Sequence, residues 1–283
     1  TGNNNVAIGA NALDLVTSSY NTGVGFNALT ACTTGSSNTG VGNGVMSATT
    51  TGSYNTAFGG GVLASNTTAS NNTGIGYESL NANTTGAENT AVGYYALNAN
   101  TASNNTAVGK SALAANTTGT RNNALGHSAL AINTTGSYNT AFGNFALNAN
   151  TTADMNTAFG DYACSENTTG TKLTGVGQHA LAKNTTGIEN TGIGYAALDA
   201  NTTGDYNTAL GSRSLGANTT GHSNTAVGKG VMAANTTGHS NVAVGQAALD
   251  ANDEGINNTA LGYDALQVNT TGTANVAVGA YVL

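Results

Sequence analysis

Apolar and polar positions return along this chain on a fixed period. Read from the Asn that opens each unit, the pattern is N-T-A-V-G-x-x-A-L-x-A-N-T-T-G-x-x. It starts at Asn5, Asn21, Asn38, Asn55, Asn72, Asn89, Asn105, Asn122, Asn139, Asn156, Leu173, Asn190, Asn207, Asn224, Asn241, Asn258 and Asn275. Every step is 17 residues except two of 16, and both short copies lose a residue in the tail, at 16–20 and 100–104. A loop tolerates such a loss. A period of this length marks an architecture in which each unit packs only on its neighbours.

Each repeat position carries its own constraint. Position four is always Val, Ile, Leu or Phe, position two is Thr or Val with one Asn (Asn123), and position three is only Ala or Gly. Two-residue alternation places positions two and four on one face of a short strand. Because position four holds the large apolar residues, that face is predicted to point inward and position three to present a flat outer surface. Position five is Gly in all 17 copies, which fits a sharp turn, a positive φ or a close backbone approach. Position nine is Leu except at Met46, Met232 and Cys164 and reads as a second buried row. The A-L-x-A stretch is open between a second strand and a helical turn, and N-T-T-G is turn chemistry.

One such unit cannot bury its apolar side alone, whereas stacked copies can, each about 4.8 Å above the last. The expected fold is all-β, a parallel β-solenoid or β-roll of seventeen coils forming one domain over residues 1–283. The core is thin against the entropy of ordering each coil. The small residues at positions three and five are therefore expected to pack against another surface, in a homotrimer or lateral bundle. Both ends stop inside the repeat without a polar cap, so head-to-tail stacking into filaments is also expected.

Composition narrows the partners. Only 7% of residues are charged, Pro and Trp are absent, and the net charge is −7 with six basic residues. Six cations cannot form a phosphate-binding stripe, so nucleic acid is not an expected partner. No apolar run reaches the ~18 residues of a membrane span, so membrane insertion is not expected. The chain opens at Thr1 with no signal peptide, which reads as a processed form or a fragment.

The stretch NNVAIGANA at 4–12, with NVAVGQAAL at 241–249 and NVAVGAYVL at 275–283, resembles the repeat of YadA-type head domains in trimeric autotransporter adhesins. Similar repeats occur in phage tail fibres. The likeness continues in N-T-A-V-G form through the chain. It implies a left-handed parallel β-roll, packing of three chains side by side, and a surface that binds host matrix. The 17-residue spacing is stricter and longer than that family's, and its coiled-coil stalk and membrane anchor are not present.

Little of the sequence carries chemistry. G-x-G-x-x-A at Gly23–Ala28, Gly175–Ala180 and Gly192–Ala197 falls out of the consensus whenever position three is Gly, so it is not a dinucleotide loop. Cys32 and Cys164 lie eight coils apart, beyond disulfide reach. In a solenoid, residues one period apart are neighbours, which makes Asp205, His222 and His239 a candidate metal column set against a plain solvated turn. Tyr77, Tyr94, Tyr95, Tyr162, Tyr195 and Tyr263 follow the Gly of position five and are candidates for stacking on sugars or neighbouring filaments, or for covering the core. Asn-Thr-Thr at Asn66, Asn83, Asn116, Asn133, Asn150, Asn167, Asn184, Asn201, Asn218, Asn235 and Asn269 is a glycosylation pattern as well as a turn. No cofactor and no catalytic set is expected.

The function expected from the sequence is therefore an extracellular structural or adhesive fibre that associates with itself. The alternative is a receptor- or glycan-binding adhesin head or tail-fibre segment, with host matrix or glycans as partners. Ice binding ranks lower, because position two is expected to face inward.

Overall fold

The computed structural model describes residues 2–283. The chain falls into two compact units of the same construction, Thr1–Asn139 and Thr140–Leu283. Each is a parallel β-solenoid with one three-residue strand per coil. The first unit has eight strands, from Val6–Ile8 to Asn123–Leu125, and the second nine, from Thr140–Phe142 to Val276–Val278. No helix occurs among the described residues. Within each unit the strands pair in register, like position on like position, as in Thr22↔Thr39 and Val24↔Val41 or Thr208↔Thr225 and Leu210↔Val227.

The direction of the strand faces reverses the sequence-based expectation. Position three is the buried one: Ala57, Ala91, Ala107, Ala158, Ala209, Ala226 and Ala243 are fully inaccessible. Positions two and four point out, and Phe58, Leu125, Phe159, Leu210 and Leu261 are 41–51% exposed. The reason is the width of the coil. A Cβ built on Gly40 would already lie 3.0 Å from the Met46 side chain and 3.1 Å from that of Val45. The Leu of position nine, buried as expected, fills the space opposite, so only Ala or Gly fits behind it.

Glycine at position five is required twice over. All seventeen have φ between 116° and 144°, a region closed to residues with a Cβ. The backbones also stack directly, so that a Cβ on Gly194 would sit 2.6 Å from the carbonyl carbon of Gly211 in the next coil.

The A-L-x-A stretch is neither strand nor helix but a run of turns with left-handed residues at positions seven and nine, such as Ala196 (φ 52°) and Leu198 (φ 54°). Left-handed backbone costs an L-residue about 1–2 kcal/mol. Here it aims alternate amides along the coil axis. Leu198 N donates to Ser214 O (3.0 Å), Ala200 N to Gly216 O (3.2 Å) and Arg213 N to Tyr195 O (2.9 Å). The turn side is thereby bonded from coil to coil without being a sheet.

Much of the interior is polar. Asn207 at position one donates from Nδ2 to Asn190 Oδ1 in the coil before (3.1 Å) and to Gly221 O in its own coil (2.8 Å). Asn218 at position twelve donates to Asn201 Oδ1 (2.8 Å) and to the same Gly221 O (2.9 Å). Two Asn ladders thus run inside each unit and meet, coil by coil, at the carbonyl of position fifteen. A third ladder lies in the turn, where Thr202 Oγ1 donates to Thr219 O (3.1 Å) and Thr219 Oγ1 to Thr236 O (3.1 Å).

The shortened coils keep the strands in register, Val6↔Thr22 and Thr90↔Thr106, and absorb the loss in the tail. In the second, the Ala102 carbonyl takes the place of the position-fifteen carbonyl and accepts from Asn89 (2.8 Å) and Asn100 (2.7 Å). No amide then reaches Asn83 Oδ1, which is buried without a hydrogen-bond partner.

The face assignment is open to a direct stability comparison by thermal melts. Ala226→Leu, on the inner face, is expected to destabilise by about 1–3 kcal/mol through overpacking. Leu210→Thr, on the outer face, is expected to stay within about 0.5 kcal/mol when parent and variant are melted at a concentration where the chain is monomeric, as other surface changes do.

Candidate binding surfaces

Three surface features follow from this frame. The first is the outer face of the sheet, where a column of Thr (position two) runs beside a column of Val, Ile, Leu and Phe (position four) in each unit. Phe142 and Phe159 stack at 4.7 Å with 6° between their planes. Sequence reasoning places this face inside and so misses it as a surface.

The second is the ridge built by positions six and seven. Identical register turns recurring aromatics into stacks. Phe145, Tyr162 and His179 form one, with centroids 5.1 Å and 5.3 Å apart. Tyr77 and Tyr94 form another at 5.7 Å, with Tyr95 edge-on to Tyr94 at 4.3 Å. Arg213 lies over the Tyr195 ring at 5.8 Å, and Tyr263 meets Tyr281 edge-on at 5.2 Å. All of these candidate tyrosines are exposed except Tyr95, which is half-buried.

In two of these clusters a neighbouring carboxylate raises a phenol, the charge of Asp264 doing so at Tyr263 and Glu78 at the Tyr77 cluster. Hydrogen bonding to the Glu78 carboxylate, reinforced by its charge, pushes the Tyr77 hydroxyl up, and the same carboxylate followed by Tyr94 pushes Tyr95 up to about 12. Both phenol hydrogens are thereby directed at the Glu78 carboxylate. Beside this cluster lies a groove of about 510 Å³ lined by Asn43, Gly44, Ser47, Gly60, Tyr77 and Glu78 among others. The run F-G-G-G at 58–61 is the sequence signal that could have located it.

The third feature is the column of position sixteen. His222 and His239 stack at 4.5 Å, but Asp205 turns away to accept a hydrogen bond from Ile188 N (2.8 Å). Among the described residues no three acidic, His or Cys side chains converge as metal ligands.

The Asn-Thr-Thr positions lie elsewhere than a glycan acceptor needs. Asn66, Asn83, Asn116, Asn133, Asn150, Asn167, Asn184, Asn201, Asn218 and Asn235 are wholly buried, and Asn269 is half-buried. Their amide nitrogens point into the ladder, as Asn184 Nδ2 does to Asn167 Oδ1 at 3.0 Å. A sugar on that nitrogen would remove the bonds that close the coil. The turn reading of the sequence holds for these residues, with their side chains inside it.

Both cysteines are buried. Burial pushes the Cys164 thiol up to about 12, and burial likewise raises Cys32, against the lowering effect of hydrogen bonds with Ser18 and Gly35. A thiol held protonated and dry is a poor nucleophile. The expected outcome of titration with an aromatic disulfide reagent is no reaction in the native protein and reaction of both thiols in guanidinium.

Burial, with the nearby charge of Asp264, pushes the Asp250 carboxyl up. A raised folded value means the fold favours the protonated form. That contribution is complete below the ordinary carboxylate range and is lost as pH rises through the raised value. Asn occupies the equivalent position at Asn81 and Asn98. Asp250→Asn is therefore expected to raise the melting temperature near neutral pH, by a few tenths of a kcal/mol for a largely solvent-screened pair. The gain should vanish at about pH 3, where the parent carboxyl is neutral as well. Neither the family models nor the characterised proteins compared with this chain give a match.

Proposed function

We propose that this protein is an extracellular structural or adhesive fibre element that associates laterally with copies of itself through the outer face of its sheet. The observation that carries this reading is the bare apolar column at position four. Purely parallel sheets are ordinarily covered on both faces. Here the inner face packs on the chain's own coil, while the outer one leaves Phe58, Ile75 and Leu125 exposed in the first unit and Phe159, Leu210 and Leu261 in the second. A contiguous apolar stripe of this kind marks an interaction surface. A second copy suits it because the repeat is the same on both sides: ridges spaced one coil apart meet grooves of the same spacing along the face of each unit. This moves the proposed contact from positions three and five to positions two and four.

The likeness of NNVAIGANA and its relatives to trimeric adhesin heads supports an assembly of chains side by side, with three the favoured number. The low charge and dense inter-coil bonding suit a passive, durable element at the cell surface better than an enzyme. The outward Thr column removes the ground on which ice binding ranked lower. The neighbouring column, ranging from Val to Phe, leaves the face too uneven to match a crystal plane.

Sedimentation velocity is the test. The parent protein is expected as an oligomer, and Phe159→Lys combined with Leu210→Lys as a monomer with unchanged circular dichroism. A parent that sediments only as a monomer across the concentration range would overturn the reading.

A further inference from the structure

We infer that the groove between Asn43 and Tyr77 is a binding site for a neutral hexopyranose unit of a glycan. Position six in successive coils reads Asn43, Gly60, Tyr77, Tyr94. Tyr94 stacks on one face of Tyr77 at 5.7 Å. The other face looks over Gly60, where a Cβ would touch the ring at 3.6 Å and 3.7 Å. The stack is thus missing one rung. The side chain of Asn43 stands two coils from Tyr77, about 9.6 Å at the strand spacing, which leaves room for one flat group.

The rim selects what that group is. The C–H face of a pyranose is apolar and packs on a phenol ring, while its hydroxyls need acceptors and donors around the edge. Glu78 offers a carboxylate, Tyr77 a phenol oxygen that still accepts while its hydrogen goes to that carboxylate, and Asn43 an exposed amide with both a donor and an acceptor. A nucleotide would bring phosphate to a chain of net charge −7, and acidic sugars would meet Glu78. A neutral ring fits both limits. The volume of about 510 Å³ falls in the range of small-ligand sites, roughly 300–1,000 Å³.

The site is also built in advance. Asn81 Nδ2 donates to Gly61 O (2.9 Å) and Asn98 Nδ2 to Glu78 O (2.9 Å), while Glu78 N donates to Gly60 O (2.9 Å). Floor and wall are therefore fixed before a ligand arrives, which lowers the ordering cost of binding. The groove uses positions six, seven and ten, away from the outer sheet face, so it stands whether or not the chain assembles.

The repeat supplies its own blocking variants. Gln occupies position six at Gln178 and Gln246, and Ser does so at Ser212, so Gly60→Gln and Tyr77→Ser should fold as the parent does. The experiment is saturation-transfer NMR with cellotetraose, mannotetraose and chitotetraose as probes, followed by calorimetry on any that respond. At least one probe is expected to bind, with transfer strongest at its ring C–H protons. Gly60→Gln and Tyr77→Ser should each weaken that binding at least tenfold, while Tyr138→Ser, at an exposed tyrosine in another column, leaves it unchanged. Failure of all three probes would overturn the assignment, as would binding that survives both groove variants. It would also fall if Gly60→Gln changed the sedimentation of the parent instead, since the groove would then hold a side chain from a second copy.

Discussion

The fold depends on one acceptor per coil, the carbonyl oxygen at position fifteen. In most coils it receives amide hydrogens from the Asn that opens the coil and from the Asn that begins the turn, as Gly221 O does from Asn207 and Asn218, while Leu173, Cys32 and Thr49 each replace one donor in their own coil. These two bonds tie the start of a coil to its end and fix the turn between them. Each Asn also hands an oxygen or a hydrogen to the next coil, so closure of one coil and stacking on its neighbour are the same event. Inside a dry core such a network must be complete, since a buried unpaired amide costs about 1–3 kcal/mol. That requirement explains why a chain with so small an apolar core can hold one conformation.

Because Asn and Leu occupy the inside, the strand has to turn its large residues out. The coil behaves less like a small globular core than like a tube whose wall is one backbone thick. The apolar material it cannot house appears as a stripe along its outer face in each unit. Stability of the coil and stickiness of its surface are thus two results of the same narrow cross-section.

Much of this is legible in the sequence, and the remainder is hidden for a definite reason. The 17-residue period yields the coil boundaries, the parallel register and the buried Leu row, because those follow from repetition and size alone. The direction of the strand is where the pattern misleads. Alternation says only that positions two and four share a face, and size then points the larger residues inward. The informative sign is position three, where Ala and Gly never yield to anything larger, whereas position four ranges from Val24 and Val41 to Ile75, Leu125 and Phe142. A tolerance for that range of volumes is what solvent permits and a packed interior does not. Asn at position twelve reads as turn chemistry but not as an interior residue, since its partner lies a period away. The groove beside Tyr77 is hidden because it is made by two absent side chains.

One missing bond has a dynamic consequence. Asn83 Oδ1 lies buried with no hydrogen-bond partner in the protein, next to the coil that is one residue short. Elsewhere, opening the stack breaks satisfied bonds and returns nothing until the gap is wide. At this junction the ladder has one bond fewer to break, so parting the two coils costs less here than at a complete rung. Thermal breathing of the first unit therefore has a preferred seam, and under a pull along the stack that seam is where the coils would begin to part.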